Sequence, residues 1–233
     1  MVKCWCEATP DPSHQASSAG MNPLDRQSAR GIALSVGAPL LLAIVEWFHP
    51  HPGDVLSLDV QTWLAVHYAQ ILLFPLSALA VTALVRDQAG MVSAICRIAM
   101  FMFAVSYVAF DTAAGVVTGI LVDAAQKSRN PEAWRAAIDA IWTNPVIGGS
   151  PLLAAPFLAV LGSVALSVGT VFAAVALRRA GNSWGPIALL AISGFGISIF
   201  KTHAWPGGPL TFGGIAIAAA WILWERNSRR VSP

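Results

Sequence analysis

The sequence predicts an all-α polytopic membrane protein, a bundle of six transmembrane helices. Three observations point there. Of 233 residues, 56% are hydrophobic and only 11% charged, against about 25% charged in an ordinary soluble domain. The apolar residues gather in runs near the ~20 residues that cross a bilayer. Alternation with period 2 is absent, which argues against a β-barrel and leaves helices to satisfy the backbone in lipid.

Residues 1–30 are polar, rich in Ser, Pro and His, and predict a disordered tail. No apolar stretch precedes a small-residue cleavage site, so they do not read as a signal peptide. Met21 offers a second start. Cys4 and Cys6 form a C-x-C that would fill half a tetrahedral metal site. With Cys96 the cysteine count is odd, and no disulfide framework is expected.

The first span is Gly31 to Phe48 and the second Thr62 to Val85, with Pro75 inside it. The third runs from about Met91 to Val122, the fourth from Pro151 to Leu177, the fifth from Trp184 to Phe200, the sixth from Leu210 to Trp224. The third is too long for one upright crossing, at roughly 50 Å against a core of about 30 Å. No turn residues split it, so it should project beyond one face or bend near Gly115. The organisation is then a tail at 1–30, a membrane domain at 31–225 and a basic cytoplasmic tail at 226–233.

Charge sets the orientation. With the N-terminus inside, ten of the 14 Lys and Arg residues fall inside: Lys3, Arg26, Arg30, Arg86, Arg97, Arg178, Arg179, Arg226, Arg229 and Arg230. Only Lys127, Arg129, Arg135 and Lys201 fall outside. The positive-inside bias predicts both termini cytoplasmic in the cell (inner) membrane. Trp47, Trp63 and Trp205 then belong to an outer aromatic belt, Trp184 and Trp224 to an inner one. Basic residues are few and follow the inner face, which excludes a nucleic-acid interface.

The outer loop NPEAWRAAIDAIW (130–142) has Asn130 as N-cap and Pro131 at the first helical position. Trp134, Ile138, Ile141 and Trp142 share one face. This predicts a short amphipathic helix on the outer leaflet, as an anchor or as a lid over a cavity.

EWFHPHPGD (46–54) ends the first span with Glu46, His49 and His51. Counting about 1.5 Å per residue from the inner charges puts Glu46, His49, His67, Asp111 and His203 roughly 21 to 30 Å up. Five ionisable residues from four helices thus share one outer slab, where such groups usually face a cavity or each other. His51, between two prolines, is expected to be solvated. Imidazole and carboxylate suit a divalent metal, zinc first. The expected ligands are His49, His67 and His203. Glu46 serves as catalytic base or further ligand, and Asp111 as its orienting carboxylate. An open coordination position would permit hydrolysis of a lipid-like substrate. In a second reading Glu46 and Asp111 carry protons or cations through a transporter or channel component. In a third, the cluster only fixes packing in a non-catalytic assembly subunit.

Two Gly-rich stretches bear on packing. Gly115 to Gly119 is a G-x-x-x-G that admits a close neighbouring helix, and Asp111 shares its face. WPGGPLTFGG (205–214) leads into the last span with too many glycines for tight helix, and predicts a re-entrant or flexible rim beside His203. The gathering of histidines and carboxylates at one membrane face is similar to that of membrane hydrolases of the alkaline ceramidase type, which implies a zinc site. The chain departs in having six spans rather than seven and no late H-x-x-x-H pair. No contiguous motif is shared.

Overall fold

The computed structural model describes residues 31–51, 53–149 and 156–231, with side chains to residue 229. The tail at 1–30, Cys4 and Cys6, and the start of the fourth predicted span lie outside the described residues. All regular structure among them is helical.

Seven helices follow in order: α1 (Ala33–Trp47), α2 (Val60–Leu84), α3 (Met91–Lys127), α4 (Arg135–Trp142), α5 (Phe157–Arg179), α6 (Trp184–Phe200) and α7 (Gly207–Val231). Four are long and apolar enough to cross a membrane: α2, α3, α5 and α7. α1 and α6 are shorter apolar helices, and α6 is interrupted between Ser193 and Gly196. Helices adjacent in sequence pack together in space. α1 lies on α2, α2 on α3, α3 on α5, α5 on α6 and α6 on α7, which closes back on α1. The result is a ring of six helices, with α4 outside it.

Packing inside the ring rests on aromatic rings and small residues. Phe74, Phe103, Tyr107 and Phe212 are fully buried at the centre, and their rings lie 4.7 to 6.2 Å apart. Gly162 and Gly169 on α5 admit Tyr107 and Met100 of α3, because a Cβ at Gly162 would stand 2.5 Å from the tyrosine ring. Small residues at a helix seam provide cohesion where lipid removes the hydrophobic drive. Large apolar side chains point outward instead, Leu72 (66% exposed), Ile98 (64%) and Ile192 (68%) among them. A bilayer would accept that exterior; water would not.

The two ends differ. At one, Arg97 donates to the carbonyls of Val85, Arg86 and Gln88, and Arg226 to that of Leu84. These cations satisfy carbonyls that the C-terminus of α2 leaves open. At the other end Asp59 caps α2 by accepting from the Gln61 and Thr62 amides. We call these the arginine end and the histidine end.

The third run is one unsplit helix of 37 residues, as the sequence predicts, and it passes Gly115 through a π-helical segment, Asp111–Val117. Three details depart from the sequence reading. The glycines of WPGGPLTFGG are not a flexible rim: Gly207 already belongs to α7. A Cβ at Gly208 would run into the His203 carbonyl and stand 2.8 Å from Glu46 Cγ, so glycine there seats the helix against its neighbours. Trp63 is not at an interface; it is 4% exposed, packed within the protein. The basic stretch from Arg226 continues α7 to Val231.

Candidate functional site

Five side chains converge at the histidine end. Glu46 stands on the last turn of α1 and is fully buried. His49 follows two residues past the helix end. His67 comes from α2 and Asp111 from the first position of the π segment of α3. His203 comes from the turn between α6 and α7, after Lys201 in a left-handed conformation (φ +55°) has reversed the chain.

His49 is the hub. Its ring centroid is 5.0 Å from that of His67 and 4.9 Å from that of His203. His51, exposed in the loop, is 5.7 Å away. His203 Nδ1 is 3.2 Å from Glu46 Oε2. His67 Nε2 is 3.8 Å from Asp111 Oδ1, beyond hydrogen-bond reach. Close packing by glycine makes this contact available. Gly115 faces the His67 imidazole, where any Cβ would overlap the ring. The Gly115 carbonyl accepts from Trp63 Nε1 at 2.7 Å, and the Trp63 ring stacks on His67 at 4.2 Å. Gly119, one turn on, would put a Cβ 2.6 Å from Leu64. The G-x-x-x-G is the groove that receives α2.

Hydrogen bonds fix the tautomers. His49 Nδ1 donates to the Pro50 carbonyl at 2.9 Å, and His67 Nδ1 to the Trp63 carbonyl at 2.7 Å. In both neutral rings Nε2 is therefore an acceptor. Burial, then the neighbouring His203 and His67, push the His49 pKa down to about 2, so this ring is neutral. Burial opposes charge on His203 too, but the Glu46 carboxylate, with Asp111 behind it, raises that pKa above its ordinary value.

Acceptors outnumber donors here. Among the described residues, seven buried side-chain atoms make no hydrogen bond, and five belong to this cluster: Glu46 Oε1, His49 Nε2, Gln70 Oε1 and both Asp111 oxygens. All five are acceptors in their ordinary protonation states, and such groups are expensive to bury unsatisfied.

A cavity of about 450 Å³ opens above the cluster, lined by His49, His51, Trp63, Asp139, Trp142 and His203 among others. Asp139 and Trp142 belong to α4. Its 3₁₀ lead-in, Pro131–Trp134, begins after Asn130, whose side chain makes no cap bond. Ile138 is fully buried against Leu58, Val60, Trp63 and Val122. Arg135 holds the helix to Asp54 (3.0 Å) and to Glu132. α4 thus sits on the protein over the cavity mouth. Glu46 and Asp111 lie behind the histidines and do not line it.

Sequence reasoning missed Gln70 and Trp63. Gln70 is fully buried, and its amide is 3.5 Å from His203 Nδ1. Its position three residues after His67, as an amide within an apolar span, was a readable signal. Among the described residues, no three His, Cys, Asp or Glu side chains stand as a ready metal-holding group. Comparison with known proteins finds no matching family model, no similar curated protein and no similar solved structure. The class is therefore defined by the fold alone: an all-helical chain compatible with a multi-pass membrane protein, with four membrane-length helices.

Proposed function

We propose that the chain is a six-span membrane protein of the cell (inner) membrane, termini cytoplasmic, whose histidine-end cluster binds a cation from the outer side. Six spans are supported by the ring. α5 finishes at the arginine end, α7 begins at the histidine end, and α6 covers the height between them. The arginine end as the cytoplasmic face follows from the positive-inside bias.

The observation that carries cation binding is the surplus of buried acceptors beneath an open cavity. A divalent metal, zinc first, would take His49, His67 and His203 as ligands. Imidazoles sharing one tetrahedral ion at Zn–N about 2.0–2.1 Å have ring centres about 5 Å apart. The spacings of 4.9 and 5.0 Å around His49 are of that size, which supports two of the three ring pairs that such an ion needs. Glu46 and Asp111 supply compensating charge from behind. That position fits orientation and charge balance better than attack on a lipid-like substrate, so binding is proposed ahead of hydrolysis. A second reading has its own observation. Asp111, His67, His49, His203 and Glu46 form a file of neighbouring titratable groups from three helices and two loops, suited to passing protons in a transporter.

Elemental analysis of protein purified in mild detergent without chelator separates the readings, beside His49→Gln and a His67→Ala/His203→Ala double variant. Near-stoichiometric transition metal in the wild type, lost in both variants while their helical circular dichroism persists, is the expected result. A metal-free wild type that also fails to take up added zinc would rule out the metal and leave proton transfer.

A further inference from the structure

We propose that the recess at the arginine end between α5, α6 and α7 binds the phosphate of an anionic phospholipid headgroup. The proposal rests on the membrane reading but not on the histidine cluster, which lies at the opposite end. The recess measures about 550 Å³ and is lined by Arg178, Trp184, Trp224, Glu225 and Arg229 among others.

Both guanidinium groups are held in place before any ligand arrives. Arg178 lies over the Trp184 ring at 4.8 Å and donates to the Asn182 carbonyl at 3.3 Å. Arg229 donates to the Gly181 carbonyl at 3.0 Å and to Asn182 Oδ1 at 3.3 Å. Arg229 also donates its Nε to the Glu225 carbonyl at 3.4 Å. Each guanidinium has five N–H donors in a fork that matches phosphate oxygens, so most of the donors left for an anion are those of Arg178. Glu225 does not cancel the pair. Its carboxylate accepts from the Ser183 amide and hydroxyl and meets Arg229 at 3.5 Å. Two positive groups therefore face one occupied carboxylate, and the recess keeps a net positive charge.

Its surroundings select a lipid over a free ion. Trp184 and Trp224 flank the recess and are 67% and 66% exposed, the placement of aromatic residues at headgroup level. Below them the exposed Trp221 and Ile217 of α7 and Ile192 of α6 continue an apolar surface suited to acyl chains. Basic pockets between membrane helices on the cytoplasmic side recognise anionic headgroups by this combination.

Native mass spectrometry of the full chain in detergent, titrated with phosphatidylglycerol, phosphatidylcholine or inorganic phosphate, tests it. Phosphatidylglycerol should be retained over phosphatidylcholine by about fivefold per arginine. Arg178→Gln, which leaves the Arg229 bonds intact, should lose about fivefold, and Arg178→Gln/Arg229→Gln should lose the preference altogether. Arg86→Gln, at the same end but outside the recess, should keep it. Equal retention of the two lipids, or an equal loss in Arg86→Gln, overturns the site. Displacement of phosphatidylglycerol by equimolar inorganic phosphate makes it a free-ion site and overturns the lipid assignment. Membrane extraction without detergent would instead overturn the membrane reading itself.

Discussion

A hydrogen atom in place of a methyl group decides where His67 sits. Gly115 leaves room for the imidazole, and Gly115→Ala should displace it at a cost of about 1–3 kcal/mol. Gly213→Ala is the control. The nearest atom to a Cβ there is 3.9 Å away, so that change should be neutral or stabilise by up to about 1 kcal/mol. Thermal unfolding in detergent would compare them; equal effects would deny Gly115 its role. The Glu46–His203 pair gives a pH signature. His203 has a raised pKa in the folded chain. Its contribution is therefore complete below the unfolded value of about 6.5 and is lost as pH rises through the folded value. Wild type should exceed Glu46→Gln by about 1–3 kcal/mol at low pH, and the gap should narrow as pH rises. A gap that stays constant through that window would mean His203 does not carry the charge.

Among the elements, α4 is the one whose removal would change access without dismantling the ring. Its ties are one buried isoleucine and an exposed ion pair. Arg135→Ala should loosen it only slightly, because an exposed ion pair is screened by water, and Ile138→Ala by about 2–5 kcal/mol. The order is readable as the rate at which diethyl pyrocarbonate modifies His49, resolved from exposed His51 by peptide mass spectrometry. Ile138→Ala should be fastest, Arg135→Ala intermediate and wild type slowest. Three equal rates would mean α4 covers nothing. The π segment of α3 matters at the same scale. π turns inside α-helices gather at functional sites, and this one begins on Asp111 and contains Gly115, the two α3 residues that meet His67.

Over the whole molecule, the legible part of the sequence was the part written in periodicity and charge. Apolar run length pointed to the helices, and heights counted from Arg86 and Arg97 put His67 and Asp111 in one outer slab, where they meet. The angular part was not legible. Whether Trp63 faces lipid or His67 depends on helix rotation, and on a π turn that no local preference announces. The glycines at 207–214 misled because their use is tertiary: they lie against Glu46 and Ser193 of two other helices and against His203 of the turn before them. Topology is testable by single cysteines in an otherwise cysteine-free chain. Asp139→Cys and Lys201→Cys should react with an impermeant maleimide from outside, and Gln88→Cys only from inside. Lys201→Cys reacting from the inner side would sink the six-span arrangement.

The unequal helix lengths act on the membrane as well as on the protein. α1 and α6, about 22 and 26 Å long, flank α7, while α3 on the opposite side runs to about 55 Å. A hydrocarbon layer of about 30 Å is too thick for the first flank, and drawing it inward costs fractions of a kcal/mol per ångström. In the six-span arrangement proposed above, the surrounding bilayer would be wedge-shaped, pinched beside α1 and α6 and full or swollen beside α3. Such a particle would gain by drifting to thinner patches of membrane. It would gain equally by setting its pinched side against that of another copy, so that the two share a single dimple.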